Sequence, residues 1–471
     1  MPRPRFDSRH LERLWSVALW LVIIAIAVVT RWRWSQLIAA HTPFVEWDTK
    51  VFRQIAELPP GPGLVVSSKP LIVPLVYRAT HNDALQIIGF QAELSFWAWL
   101  ILTVSTVHAL RRRWVRLLAA CAGAAFVLEP VRVGLTGSLM PESVNDSLLA
   151  LCAAGAIALV RLTGRARIAA AGVTGLTVLA WLFTRDTNAF IAVTAAALAL
   201  TVWRAWRSRA VALAGLVAAC AAITLWSASV AHEPLPFQES WHPAFTPRSA
   251  VPMLDNVMLR VEPDAPDAVP PALLPFHEPL RLVMSGPEVR PLLDDLAQHG
   301  SAIYARWLVR HPVERVAAVV RDRWKLLLGN LVRIMPGNWV PRTRWSFRTL
   351  TANHQVLWLL LVASPVLLWR PRKDPLRGVA FCVVVSAIAG IFAGYYGDAV
   401  EMTRHCYGAC QQLILGLCLA GLVRLDGLRT RAPRTQQRRD AIADHSAAGS
   451  SMISADAAVA RDARSSAAPT G

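Results

Sequence analysis

Clusters of arginine stand at the ends of alternate apolar runs, and this pattern constrains the chain more than any other. Lysine and arginine beside membrane spans stay on the cytoplasmic side of a bilayer. The alternation therefore predicts a protein that crosses the membrane many times, with both termini cytoplasmic. It also gathers the acidic loops on the opposite face. The clusters run from Arg111 to Arg113, Arg161 to Arg167, Arg204 to Arg209, Arg370 to Lys373 and Arg424 to Arg431.

The composition also favours a membrane protein. Of the 471 residues, 54% are hydrophobic and 17% are charged, whereas soluble domains contain about 25% charged residues. The net charge of +18 would suit a nucleic-acid partner, but the arginines concentrate at the ends of apolar runs and in the tail, where anionic headgroups attract them. We therefore expect membrane lipids as partners, no nucleic acid, and a location in the cell membrane.

The number of apolar runs gives the expected fold class. A membrane helix needs about 20 apolar residues, with a range near 17–25. By this rule the chain is an all-α polytopic membrane protein with about ten transmembrane helices. The predicted spans are 14–30, 86–110, 115–130, 146–160, 168–184, 188–203, 210–231, 354–369, 379–396 and 406–423.

Two predicted outer segments, 31–85 and 232–353, are too long to be simple connections. In the first, apolar residues at helical spacing precede a Pro/Gly run at 59–63, which favours helices lying in the membrane interface. In the second, 313–334 is basic and amphipathic and predicts a folded, substrate-facing helix. Its apolar face comprises Val316, Val319, Val320 and Trp324.

The tail marks a domain boundary. From residue 428 to 471 the chain is polar and rich in Ala, Ser and Arg, a composition typical of disorder. We expect a membrane domain over 1–427, followed by a disordered cytoplasmic tail.

Asp48 is the first candidate for chemistry. It lies in the first outer segment, two residues after Glu46 and beside aromatic residues that would hold it at headgroup depth. A carboxylate there can accept a proton from a hydroxyl or bind a cation. The alternative is a solvated loop acid, or a partner for Lys50.

A second set of charges borders the predicted spans. Glu142 and Asp146 are four residues apart, so one helical face presents both. Since Pro141 suits the first turn of a helix, capping is the alternative role. Arg185 and Asp186 interrupt an apolar stretch, where ionisable residues are costly and usually functional or paired with each other.

The last outer loop, predicted over 397–405, contains Arg404 and His405. Arginine suits bidentate contact with phosphate, and histidine can add a hydrogen bond. A local ion pair with Asp398 or Glu401 is the alternative. Lys69 is a weaker phosphate candidate, which could equally be an exposed anchor.

These segments, in this order, resemble the GT-C superfamily of integral-membrane glycosyltransferases, which use polyprenyl-phosphate-linked sugars. The resemblance covers most of the membrane part and is closest to mannosyltransferase-like and arabinosyltransferase-like members. Four short matches carry it: Trp47-Asp48-Thr49, Ser68-Lys69-Pro70-Leu71, Met140-Pro141-Glu142-Ser143, and Thr184-Arg185 with the late Arg404-His405.

The resemblance implies a mechanism and a site. Asp48 would be the general base, and the sugar would be attacked with inversion. Glu142, with Glu46 and Asp146, would orient the acceptor or help to hold a divalent cation. Lipid phosphate would leave towards cationic side chains. Those side chains would be Arg404, His405, Arg185 and Lys69.

The sequence departs from the family pattern in several places. Trp47 separates Glu46 from Asp48, where the family's paired acids are often adjacent. His405 replaces a tyrosine after the late arginine, and Asp186 replaces a proline. These differences leave open the sugar, the metal requirement, and whether the acceptor is a glycan, a lipid or a protein.

Two other functions compete with this one. A transporter or flippase of lipid-linked glycans would perform no chemistry, but it should carry its binding residues near the bilayer midplane, often in repeated halves. Here the acids gather at one water-facing edge and no repeat is visible, which favours the enzyme. An enzyme-like scaffold without activity is the other competing function.

Overall fold

The protein, seen in a computed structural model, is built from helices. The structure describes residues 8–39, 47–67, 69–128, 130–202, 207–230, 253, 256–264, 267, 299–322, 374–397 and 402–427. Every regular element of at least four residues in these ranges is a helix, as the all-α prediction requires. Met1–Arg424 form one compact unit, and Leu425–Gly471 form another, of which only the end of the last helix is described.

The described ranges contain fifteen α-helices of at least four residues. They are α1 (Ser8–Ala39), α2 (Trp47–Glu57), α3 (Pro62–Val65), α4 (Ile72–Ala79), α5 (Ala84–Ala109), α6 (Arg113–Val127), α7 (Pro130–Thr136), α8 (Pro141–Arg161), α9 (Gly164–Leu182), α10 (Thr187–Val202), α11 (Arg207–Val230), α12 (Ser301–Arg310), α13 (Pro312–Arg321), α14 (Pro375–Gly397) and α15 (Met402–Gly427). A π-helical turn, Val257–Val261, precedes α12.

Within the described ranges, five helices are long and apolar enough to cross a membrane. They contain Leu14–Trp32, Ala84–Ala109, Pro141–Arg161, Pro375–Gly397 and His405–Gly427. A multi-pass membrane protein is therefore plausible, but the predicted count of ten is not confirmed.

The remaining predicted spans fall short in different ways. The helix at 115–130 has only 15 residues, and two others contain the shorter apolar stretches Thr187–Leu200 and Ala214–Ser227. The stretch 168–184 forms α9, which is not among the five. The stretch 354–369 lies outside the described residues.

Small residues allow the central helices to pack closely. Helix α5 packs against α6 and α8, and α8 against α9. A Cβ atom at Gly123 would overlap Thr103 of α5, and one at Gly155 would overlap Thr174 of α9. Close approach at small residues is typical of membrane helices, where van der Waals contact drives association.

Helices α2 and α4 pack against the start of α5. Phe52 of α2 is buried with Tyr77 of α4, Ile88 of α5 and Leu139. Helix α5 then begins at Asp83, whose carboxylate accepts a hydrogen bond of 2.8 Å from the Gln86 backbone N–H, a standard N-cap. The helices predicted for 31–85 are therefore present, and α2 presents an apolar face to protein.

The amphipathic stretch predicted at 313–334 is helical over the part that is described. Helix α13 ends at Arg321, and Trp324 lies outside the described residues. Val316, Val319 and Val320 share one face by their helical spacing. Protein covers only Val319 of that face, whereas Val316 and Val320 are 49% and 44% exposed.

Candidate functional site

The first turns of α8 form the polar centre of the bundle. Residues 141–150 are all buried, although five of the first seven are polar or charged. Pro141 occupies the first helical position, where its missing N–H costs nothing. Glu142 and Asp146 follow on one face, as their spacing predicts. A helix start this polar and this buried needs partners from other helices.

Arg185 supplies the partner for Glu142. Its Nη1 lies 3.5 Å from Glu142 Oε1, and the two side chains are 9% and 0% exposed. Arg185 comes from the turn between α9 and α10, beyond Leu182. Two residues singled out separately in the sequence are thus in direct contact. Asp186, the neighbour considered as a structural partner for Arg185, is half-buried.

Arg132 supplies the partner for Asp146, and sequence reasoning missed it. Its Nε donates to Asp146 Oδ2, and its Nη2 donates to Gln411 Oε1 of α15 at 3.2 Å. The guanidinium lies 4.0 Å from the centre of the Trp99 ring, a cation–π distance. The available signal was an arginine inside an apolar stretch between Pro130 and Gly134.

Asn145 connects α8 to the turn that carries Arg185. Its Oδ1 accepts hydrogen bonds from Thr184 Oγ1 at 2.9 Å and from Asn188 Nδ2 at 2.7 Å. Asn188 also donates to the Trp181 carbonyl. This network holds the turn in place, so that Arg185 reaches Glu142 from a fixed backbone.

Backbone contacts bring the Lys69 segment to the same turn. The Ile72 N–H donates to the Phe183 carbonyl at 3.0 Å, which places the chain after Lys69 two residues from Arg185. The Ser67 hydroxyl donates to the Lys69 carbonyl, and the Lys69 side chain is half-buried.

The start of α2 approaches α8 in a similar way. Thr49 Oγ1 donates to the Leu139 carbonyl at 3.0 Å, and Tyr77 Oη donates to the same oxygen at 2.8 Å. Thr49, the residue after Asp48, is therefore hydrogen-bonded to Leu139, and Leu139 precedes Glu142 by three residues. The Asp48 side chain and all of Glu46 lie outside the described residues.

The start of α15 closes the site from the other side. A Cβ atom at Gly408 would lie 2.9 Å from Asn145 Nδ2, so α15 passes directly against α8. The helix begins at Met402, and the nine-residue loop predicted over 397–405 is shorter because 402–405 are helical. His405 is half-buried; Arg404 lies in the first turn, and its side chain is outside the described residues.

A cluster of aromatic residues and arginines, the aromatic cluster, joins α12 and α13 to the end of α14. Tyr304 Oη donates to the Tyr396 carbonyl at 2.8 Å, and Tyr395 Oη donates to Asp322 at 2.8 Å. Burial raises the pKa of the Tyr304 hydroxyl well above its usual value. The members are Tyr304, Trp307, Tyr395, Tyr396, Arg260 and Arg315.

Arg260 of this cluster extends the positive potential towards the site. Its guanidinium lies 4.5 Å from the Tyr395 ring centre. Arg185 and Arg260 both lie close enough to the Cys406 side chain to act on it electrostatically. Two guanidinium groups from distant parts of the chain therefore lie near Cys406, the residue after His405.

The described residues do not contain a group of three or more His, Cys, Asp or Glu arranged to hold a metal ion. Glu142 and Asp146 are instead each in contact with an arginine. Comparison with models of known protein families and with curated proteins finds no match to this chain.

Proposed function

We propose that this protein is a membrane glycosyltransferase of the GT-C type, which moves a sugar from a polyprenyl-phosphate donor to an acceptor on the extracytoplasmic face. One observation supports the proposal above others: four segments far apart in the sequence meet at the first turns of α8 or at the neighbouring residues that pack against them. They are the start of α2, the segment 69–72, the turn 183–188 and the start of α15.

In the proposed reaction Asp48 is the general base. Its carboxylate takes the proton of the acceptor hydroxyl while that oxygen forms a bond to the anomeric carbon. The bond from this carbon to the phosphate oxygen breaks, and its electron pair leaves with the lipid phosphate. Because attack and departure occur on opposite faces, the configuration inverts.

The charged residues around α8 have assigned roles in this scheme. Arg404, His405, Arg185 and Lys69 stabilise the negative charge that develops on the departing phosphate. Glu142, through its contact with Arg185 at 3.5 Å, orients that guanidinium. Glu46 and Asp146 orient the acceptor or a divalent cation. The acceptor is a glycan, a lipid or a protein, and apolar helices bind the prenyl chain.

A transporter of lipid-linked glycans is the second candidate, and one observation favours it. Glu142 and Asp146 are both buried and paired with arginines at the entry of a membrane-length helix. Paired ionisable groups at membrane depth mark substrate or proton pathways in transporters. The enzyme is preferred because Thr49, next to the general-base candidate Asp48, is anchored just before α8, and the phosphate-binding candidate Arg185 contacts α8 itself.

The deciding experiment measures chemistry and translocation on the same protein. Purified protein in proteoliposomes is given polyprenyl-phosphate sugars labelled in the sugar, with mixed glycan and lipid acceptors. The enzyme releases lipid phosphate and forms labelled product; the transporter moves intact donor across the bilayer and releases none. Asp48→Asn should remove most of the product. Glu57→Gln, at the exposed end of the same helix, is the matched control and should not.

The location in the cell membrane with cytoplasmic termini belongs to the same proposal, since it rests on the arginine clusters. Single cysteines at positions 240 and 440, in a cysteine-free background, test it in intact cells. Position 240 should react with a membrane-impermeant maleimide and position 440 should not. The reverse pattern would invert the assigned topology.

A further inference from the structure

A groove lies between α1 and α6, and none of its lining residues is assigned to sugar transfer. It has a volume of about 140 Å³. Helix α1 forms one wall with Trp15, Leu19 and Val22, and α6 forms the other with Leu117. Two arginines, Arg113 and Arg116, line the same groove. Its described lining contains no acidic residue.

The positive charge of the groove is concentrated at the start of α6. Arg113 and Arg116 occupy the first turn of α6, which contains no acidic residue. Two guanidinium groups within one helical turn concentrate positive potential at this part of the groove. The Arg116 Nε donates to the Leu110 carbonyl at 2.7 Å, which restricts the orientation of that guanidinium.

The other wall of the groove suits hydrocarbon. Helix α1 is largely uncovered by protein: Leu14, Val17 and Leu21 are 66%, 56% and 61% exposed. In a helix of membrane-spanning length, such side chains face acyl chains. A molecule that fills the groove must therefore combine an apolar chain beside Leu19 and Val22 with negative charge beside the arginines.

We propose that this groove binds an anionic phospholipid from the leaflet on the arginine-rich side of the membrane. The lipid phosphate contacts Arg113 and Arg116, and one acyl chain lies along Leu19 and Val22. Basic pockets between membrane helices on the cytoplasmic side recognise anionic headgroups in this way. The bound lipid fixes α1, which has few protein contacts of its own, against α6. This proposal does not depend on glycosyl transfer.

Native mass spectrometry of the full-length protein tests it, with phosphatidylglycerol or phosphatidylcholine added in increasing amounts. The wild type should retain phosphatidylglycerol preferentially. Arg113→Gln combined with Arg116→Gln should weaken retention about thirtyfold, since each basic residue near headgroups contributes roughly a factor of five. Arg111→Gln combined with Arg112→Gln removes equal charge from outside the groove lining and should weaken it about threefold or less.

Leu19→Trp provides a second variant, which fills the apolar part and keeps both arginines. It should lose lipid retention while remaining folded by circular dichroism. Equal retention of the two phospholipids would overturn the proposal, as would equal loss in the two double variants. Displacement of the lipid by the same concentration of inorganic phosphate would reassign the arginines to a free-anion site and also overturn it. Retention by Leu19→Trp at the wild-type level would exclude the acyl-chain position.

Discussion

Removal of Arg132 should destabilise this protein more than removal of its partner Asp146, although the two form one ion pair. Both side chains are almost completely buried, at 2% and 3% exposure. Breaking a buried ion pair leaves an uncompensated charge and typically costs about 3–5 kcal/mol. Arg132→Met should fall in this range, because it leaves the Asp146 carboxylate buried and also removes the donor to the Phe126 carbonyl.

Asp146→Leu should cost less, about 2 kcal/mol, since a cation that keeps other polar and aromatic partners is better compensated than a lone buried carboxylate. Arg132 would still donate to Gln411 and the Phe126 carbonyl and still stack on Trp99. In contrast, Asp146 Oδ1 has no hydrogen-bond partner among the described residues. The double variant should cost less than the sum of the two, with a coupling of about 1–3 kcal/mol.

Reversible unfolding in mixed micelles, followed by far-UV circular dichroism across a titration with SDS, measures the free energies of unfolding of all four proteins. Arg31→Met provides the control, because Arg31 pairs with Glu93 at the exposed surface, where ion pairs contribute about 0–1 kcal/mol. Arg132 keeps other partners when Asp146 is removed, whereas the Asp146 carboxylate keeps none among the described residues when Arg132 is removed. This explanation would be refuted if Asp146→Leu were the more destabilising change, or if the effects of the two single variants were simply additive.

Three further predictions concern the site and the aromatic cluster. Asp48→Asn should lower transfer by about 10²–10⁴-fold with an unchanged melting temperature; a wild-type rate of lipid-phosphate release would remove Asp48 from catalysis. Arg404→Ala should weaken donor binding, measured by competition with labelled lipid phosphate, by about 1.5–3 kcal/mol. Arg404→Lys should recover only part of this loss, because lysine lacks the planar fork. A lowered melting temperature with unchanged donor affinity would indicate a local ion pair instead. Because the pKa of Tyr304 is raised on folding, the unfolded state loses that proton first as pH rises, so stability should fall above about pH 10. Tyr304→Phe should flatten this fall in a series of melting temperatures, and an identical alkaline decline would exclude that role.

The helical class and several long apolar helices follow directly from the sequence. Apolar runs of about 20 residues between arginine clusters leave few alternatives to membrane helices. The number of membrane-spanning helices was less predictable, because α6 is only 15 residues long and packs against α1 and α5. Hydropathy reports how apolar a stretch is, but it does not tell whether lipid or protein surrounds that stretch.

The candidate site was predictable in part for the same reason. The spacing of Glu142 and Asp146 fixed their common face, since that depends only on helix geometry. Their partners depend on how α7 and the turn after α9 pack on α8, which no local pattern encodes. Arg132 and Arg185 therefore became recognisable as partners only in three dimensions. For Val316 and Val320, periodicity indicated a face that the packing leaves exposed.

The two ion pairs on α8 have a consequence for biosynthesis. Arg132 precedes Asp146 by 14 residues, so its charge can already be matched as α8 leaves the ribosome. Arg185 follows Glu142 by 43 residues, which at about 5–20 residues per second is a delay of roughly 2–9 seconds. During that interval the Glu142 carboxylate has to stay in water or pair with another group. The first turn of α8 should therefore enter the bilayer late, after α9 has been made.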